Sequence, residues 1–166
     1  MHVKPYGAAG QAKLAKYPDR IRQIQKLQEA IPNIQDLNLD ETQDLQDRLK
    51  RYRKELSAYQ VSMEAVVGCY NSLIEEAKAD CDKMEIVIQK APKDVDQGRL
   101  FSLTTSIVQA KQQLVFIEQQ CESLNAQIES VKTAKAAIAT ALEQKQLANL
   151  AELLLALKQR DTEIHA

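Results

Sequence analysis

The chain is poor in every residue that bends or punctuates a backbone. It has four Gly and four Pro in 166 residues, no Trp and two Phe, and aromatics make up 4%. A β-sandwich or barrel needs a turn signal every 8–12 residues or so, which excludes an all-β fold. Cysteine is equally sparse. Cys69, Cys81 and Cys121 form an odd set with no CxxC spacing, so reduced thiols are expected rather than a disulfide framework. No stretch approaches the roughly 18 apolar residues of a membrane span. Nor does one sign of charge dominate. Lys and Arg number 22 against 23 Asp and Glu, a net charge of −1, so no overall field points to nucleic acid or to a membrane.

The residues of catalysis are also scarce. The two histidines, His2 and His165, lie at the ends of the chain, where a catalytic geometry is hard to hold. There is no Gly-rich phosphate loop, HExxH, nucleophile elbow or EF-hand loop. The Glu-x-x-His pairs of a di-metal bundle are missing as well. A non-enzymatic protein is expected, with no cofactor, no metal and no small-molecule substrate.

The first 17 residues carry Lys4, Lys13 and Lys16 and no acid. A transit peptide would be richer in Arg and Ser, so a flexible tail is expected over 1–17, loosened by Gly7 and Gly10. The cytoplasm is the expected compartment, with export by a non-classical route as the alternative.

What the chain does have is helix formers, 19 Gln among them, beside 45% hydrophobic and 27% charged residues. Pro18 suits a first helical turn, and Tyr17, Ile21, Ile24 and Ile31 form one apolar stripe ahead of Pro32. Asp40, with Gln43 three residues on, offers a capping box. From Leu45 a heptad runs for about 50 residues. Its d positions are Leu45, Tyr52, Tyr59, Val66, Leu73, Asp80 and Val87. Its a positions are Leu49, Leu56, Met63, Tyr70, Ala77, Met84 and Ala91. Asp80 is the one polar residue among these fourteen.

A second heptad follows the Pro92–Gly98 turn, where Asp94 and Gln97 offer another capping box. Leu100, Ile107, Leu114, Cys121, Ile128, Lys135 and Leu142 occupy its a positions. Leu103, Ala110, Ile117, Leu124, Val131 and Ile138 occupy its d positions. The phase slips near Glu143–Gln146 and resumes at Leu147, Leu150, Leu154 and Leu157.

Two such helices joined by a short turn bury each other's seam. Folding about 94–97 sets Tyr52 and Tyr59 opposite the Ala-rich stretch Ile128–Leu142, large against small. The expected fold is all-α, a long antiparallel helical hairpin (coiled coil). Shorter terminal helices join it in a three- or four-helix bundle at the open end, with Tyr17–Ile31 beside 147–164 and a two-stranded tip. The helices fall at about 18–31, 40–91, 95–142 and 147–164, within a single domain over 18–166.

Two surface features suggest function. Ile86 and Ile88 flank the seam near the tip, and Phe101 and Val108 also stand off it. Leu114-Val115-Phe116-Ile117 is apolar all round, more than one partner helix can bury. Ile86, Ile88, Phe101, Val115 and Phe116 are therefore the candidate partner-binding residues, for a protein partner or a second copy. The other feature is Arg48, Lys50, Arg51, Arg53 and Lys54, five bases in seven residues, which Lys132 and Lys135 could extend. Such a patch suits an anionic lipid surface, whereas nucleic acid is not expected, because Tyr52 is a seam residue and leaves no stacking platform. Asp80, Lys135 and Lys145 at seam positions read as register-setting residues. Cys69 and Cys121 read as buried small hydrophobes that could approach each other.

The expected function is a coiled-coil adaptor, scaffold or assembly subunit, with a membrane-active, toxin-subunit-like or effector-like module as the alternative. The outline is similar in shape to secretion-system stalk proteins and to some helical toxin subunits, and no residue motif carries that likeness further.

Overall fold

The computed structural model describes residues 6–34, 45–144 and 154–159. Four helices follow in chain order: α1 (Ala8–Ala15), α2 (Tyr17–Glu29), α3 (Leu45–Gln89) and α4 (Gln97–Gln144). Residues 154–159 are also helical, and no strand occurs among the described residues. The fold is all-α, with α3 and α4 packed against each other as a hairpin and shorter helices added to it.

The two long helices form because their apolar residues recur at heptad spacing and must be covered. Leu49, Met63, Tyr70, Leu73, Leu103, Ile117 and Ile138, all assigned to a or d, are fully buried. Pro92, which cannot continue a helix, lies just beyond the end of α3. The Lys90 and Ala91 amides bond back to Ile86 and Ile88 at 3.0 and 3.2 Å. Asp96, and not the expected Asp94, caps α4. Its Oδ1 accepts the Gly98 amide at 3.1 Å and its carbonyl accepts the Arg99 amide at 3.1 Å.

The chain forms two compact units, Met1–Lys26 with Gly68–Cys121, and Leu27–Val67 with Glu122–Ala166. In the first, Lys111 Nζ bonds Glu85 Oε1 and Lys78 Nζ lies 3.0 Å from Glu118 Oε1. Seven residues back along α3 is seven forward along α4, which is antiparallel register. Burial here extends from a and d to Ile74 and Cys81 on α3, a wider apolar face than a two-helix seam requires.

That extra width explains where α1 and α2 go. The structure corrects the expected flexible tail, since α1 is helical over 8–15 and Leu14 and Tyr17 are buried. It also corrects the expected two-stranded tip, because α1 and α2 settle on the unit that carries the α3–α4 turn. The glycines are contact points there, not loosening residues. Gly7 has φ +73°, and a Cβ on it would lie 2.9 Å from both Leu103 methyls; a Cβ on Gly10 would collide with Met84 Sδ. Gln11 Nε2 then donates to Ser102 Oγ at 2.9 Å and Ser106 Oγ at 3.1 Å, and Arg99 Nε donates to the Tyr6 carbonyl at 2.8 Å.

The second unit is built on Leu45, Leu49, Leu56, Val131, Ile138 and Ala141, with Tyr52, Tyr59, Ala134 and Leu142 packed against that cluster. Ile34 and Leu154 pack on the same cluster, so the open end does gather further chain. Lys135 Nζ donates to Gln60 Oε1 at 3.0 Å, and its charge leaves the seam through that bond. The Asp40 cap, Lys145 and the expected 147–164 helix, apart from 154–159, lie outside the described residues.

Candidate docking surface

Between Leu100 and Cys121, α4 has two charged residues, Lys111 and Glu118. Both are held by α3 through the Glu85 and Lys78 pairs. The face turned away from α3 carries an uncharged row, with Lys111 and Glu118 half-exposed along its edge. Phe101, Val108 and Val115 stand on it at seven-residue spacing, with exposures of 75, 49 and 55%. Seven residues is close to two helical turns, so the three form one row over about 20 Å. Thr104 and Thr105 lie between the first two, and their hydroxyls donate to the Leu100 and Phe101 carbonyls, each at 2.9 Å. With both hydroxyls bonded inside their own helix, further polar demand on this face is small.

Phe116 lies beside the row at the edge of a groove of about 420 Å³, whose other walls are Pro18, Ile21, Gln109, Gln112 and Gln113. Of the five residues expected to bind a partner, Phe101, Val115 and Phe116 are brought together on α4. Ile86 is exposed on α3, and Ile88 is half-buried. Val108 completes the row, and its off-seam position in the heptad is the signal for it. The Gln-rimmed groove depends on where α2 packs, which periodicity does not encode.

Asp80 is the polar centre of the first unit. It is 6% exposed, accepts a hydrogen bond from the Tyr17 hydroxyl and lies 3.4 Å from Lys13 Nζ. Burial, then the bond to Asp80, pushes the Tyr17 hydroxyl well above the usual tyrosine range. Arg20 stacks 5.4 Å from the centre of the Tyr17 ring and bonds Glu76 Oε2 at 2.7 Å, which lowers the Glu76 carboxyl. The register reading of Asp80 becomes specific at this point: it ties α1 and α2 to α3.

In the second unit, Lys50, Arg51, Arg53 and Lys54 are exposed on α3 and Arg48 is half-buried. Lys132 pairs with Glu129 at 3.4 Å and Lys135 with Gln60, so neither is spare to extend the patch. Cys81 and Cys121 are buried and Cys69 is exposed, which corrects the expectation of a buried Cys69. Among the described residues no group of three or more His, Cys, Asp or Glu could hold a metal ion, and no helix is long and apolar enough to cross a membrane.

The architecture thus defines the protein as an all-α hairpin bundle with an uncharged apolar row on one long helix. No family model, curated protein or solved structure matches the chain.

Proposed function

We propose that the protein is a non-enzymatic helical interaction module, an adaptor, scaffold or assembly subunit that docks through the outward face of α4. The exposed Phe101–Val108–Val115 row carries this reading. Outer positions of a two-stranded coil are normally polar or charged, and three large apolar residues in register on that face lower solubility unless something covers them. Phe101 and Phe116 supply the aromatic anchors that dominate such contacts. Charged substitutions, Phe101→Glu with Phe116→Glu, are expected to abolish self-association or partner capture while the helical signal persists. Unchanged mass and unchanged capture would sink the reading.

A second reading rests on the exposed bases Lys50, Arg51, Arg53 and Lys54, which suit anionic headgroups at a membrane surface. Asp47 and Glu55 are exposed beside them and offset part of that charge. Co-sedimentation with anionic vesicles at low salt tests it. Pelleting that Arg51→Ala and Lys54→Ala abolish would favour it, and no pelleting would dismiss it.

A further inference from the structure

We propose that α1 is a strap that lifts from α3 and α4 by itself, turning about Lys16, while α2 stays seated. The inference rests on packing within the first unit and not on the docking face of α4.

The hinge is set by Pro18, which has no amide to bond the Leu14 carbonyl, so α1 and α2 cannot share one continuous ladder. Lys16 stands between them. Its amide bonds back to the Lys13 carbonyl at 3.2 Å, and its carbonyl accepts the Arg20 amide at 3.3 Å. Rotation at Lys16 breaks neither bond.

The two helices are anchored unequally. α2 buries Tyr17, Ile21 and Ile24, whereas α1 buries Leu14. α1 is eight residues long, and its N-cap Gly7 makes no side-chain capping bond. A helix that short does not hold its shape in water away from its seat. Gly7 and Gly10 on α1, with Lys83, Met84 and Val87 on α3, line a gap of about 340 Å³. What holds α1 is chiefly polar. Gln11 bonds Ser102 and Ser106, Lys13 reaches Asp80, the Tyr6 hydroxyl donates to the Val87 carbonyl and Arg99 donates to the Tyr6 carbonyl. Water replaces such bonds at small net loss, and a gap forfeits the dispersion contacts that would resist opening. Lifting α1 therefore costs less than unfolding the unit. Once it lifts, Met84 and Leu103, 3 and 0% exposed, lose part of their cover and Asp80 loses Lys13. The strap gates this seat.

Hydrogen exchange on the unmodified chain reads the opening. Amides 11–15 should exchange on the order of tenfold faster, or more, than amides 21–25, with little change in low urea, because the opening exposes little surface.

A lock separates lifting from fraying. A Cβ on Gly10 would lie 3.1 Å from Met84 Cγ, which brings residues 10 and 84 within disulfide reach. Gly10→Cys with Met84→Cys, in a Cys69→Ser background, should link on mild oxidation. The link should slow exchange over 11–15 toward the level of α2, and reduction should restore it. Met84→Cys alone should react with a soluble disulfide reagent in native buffer. Met63→Cys, buried in the second unit, should not.

Exchange over 11–15 that is as slow as over 21–25, and rises with urea in step with it, would overturn the strap, since α1 would then open only with the whole unit. A formed link that leaves the exchange unchanged would overturn it too, as would a Met84→Cys thiol no more reactive than Met63→Cys.

Discussion

The Tyr17 hydroxyl donates to Oδ2 of Asp80, a buried contact that joins the start of α2 to the C-terminal part of α3. Both groups are almost wholly buried; Asp80 is the acceptor for the Tyr17 hydroxyl and also accepts from Lys13 Nζ at 3.4 Å through Oδ1. Lys13 supplies a further charge from the solvent side, its own side chain 57% exposed.

Removing Asp80 strands the Tyr17 hydroxyl, and removing the hydroxyl leaves the buried Asp80 with only the longer contact to Lys13. Asp80→Ala and Tyr17→Phe are each expected to lower stability by about 1–3 kcal/mol, the cost of an unsatisfied buried polar group. The double variant should cost clearly less than the sum of the two, because no orphan remains. Urea unfolding of the four proteins measures this, and strictly additive losses would show that the pair is uncoupled.

Alkaline pH should weaken the same contact. Tyr17 and Tyr70 are both raised by burial, Tyr17 also by Asp80 and Tyr70 also by Cys121. A group whose folded value exceeds its unfolded value contributes stability that is complete below the unfolded value, near pH 10 for tyrosine. That contribution is lost as pH rises through the folded value. Stability should therefore hold up to about pH 10 and fall above it. Tyr17→Phe should reduce the slope without abolishing it. A stability curve flat to strong alkali would contradict the burial of both rings.

The glycines should respond with opposite signs. Gly68 lies within α3, and a methyl added there would meet nothing within 4 Å, so Gly68→Ala should stabilise by roughly the 0.8–1.0 kcal/mol of helix propensity. At Gly10 the same gain is opposed by collision with Met84 Sδ, an overpacking cost of about 1–3 kcal/mol. Gly10→Ala should be destabilising overall, and shortening Met84 to Ala should relieve the collision. Thermal melts of the two single variants compare the signs directly.

Thiol chemistry reports the same packing. One cysteine, Cys69, should react promptly with a soluble disulfide reagent. Cys81 and Cys121 are buried, and burial raises their thiols and so disfavours the reactive thiolate. Both should react only after unfolding. Cys69→Ser should remove the fast phase entirely, and a remaining fast phase would mean that the α3–α4 seam opens.

The long helices and their burial pattern were legible because a heptad is a local code. Leu49, Met63, Tyr70, Leu103, Ile117 and Ile138 follow from spacing alone, since each must face the neighbouring helix wherever that helix lies. The same code exposed Phe101 and Val115 as residues with no place in the seam. It also marked Asp80 as the polar exception without naming what it bonds.

The tertiary structure decided what depends on residues distant in the chain. Periodicity does not state which surface α1 and α2 will cover. That choice followed from the missing Cβ atoms at Gly7 and Gly10, which let α1 approach Leu103 and Met84, and from the need of a buried carboxylate at position 80 for a donor. The pairing of Lys111 with Glu85 and of Glu118 with Lys78 likewise emerged only once α4 lay beside α3. Spacing along one helix specifies which residues need covering, and close approach and charge pairing between helices specify what covers them.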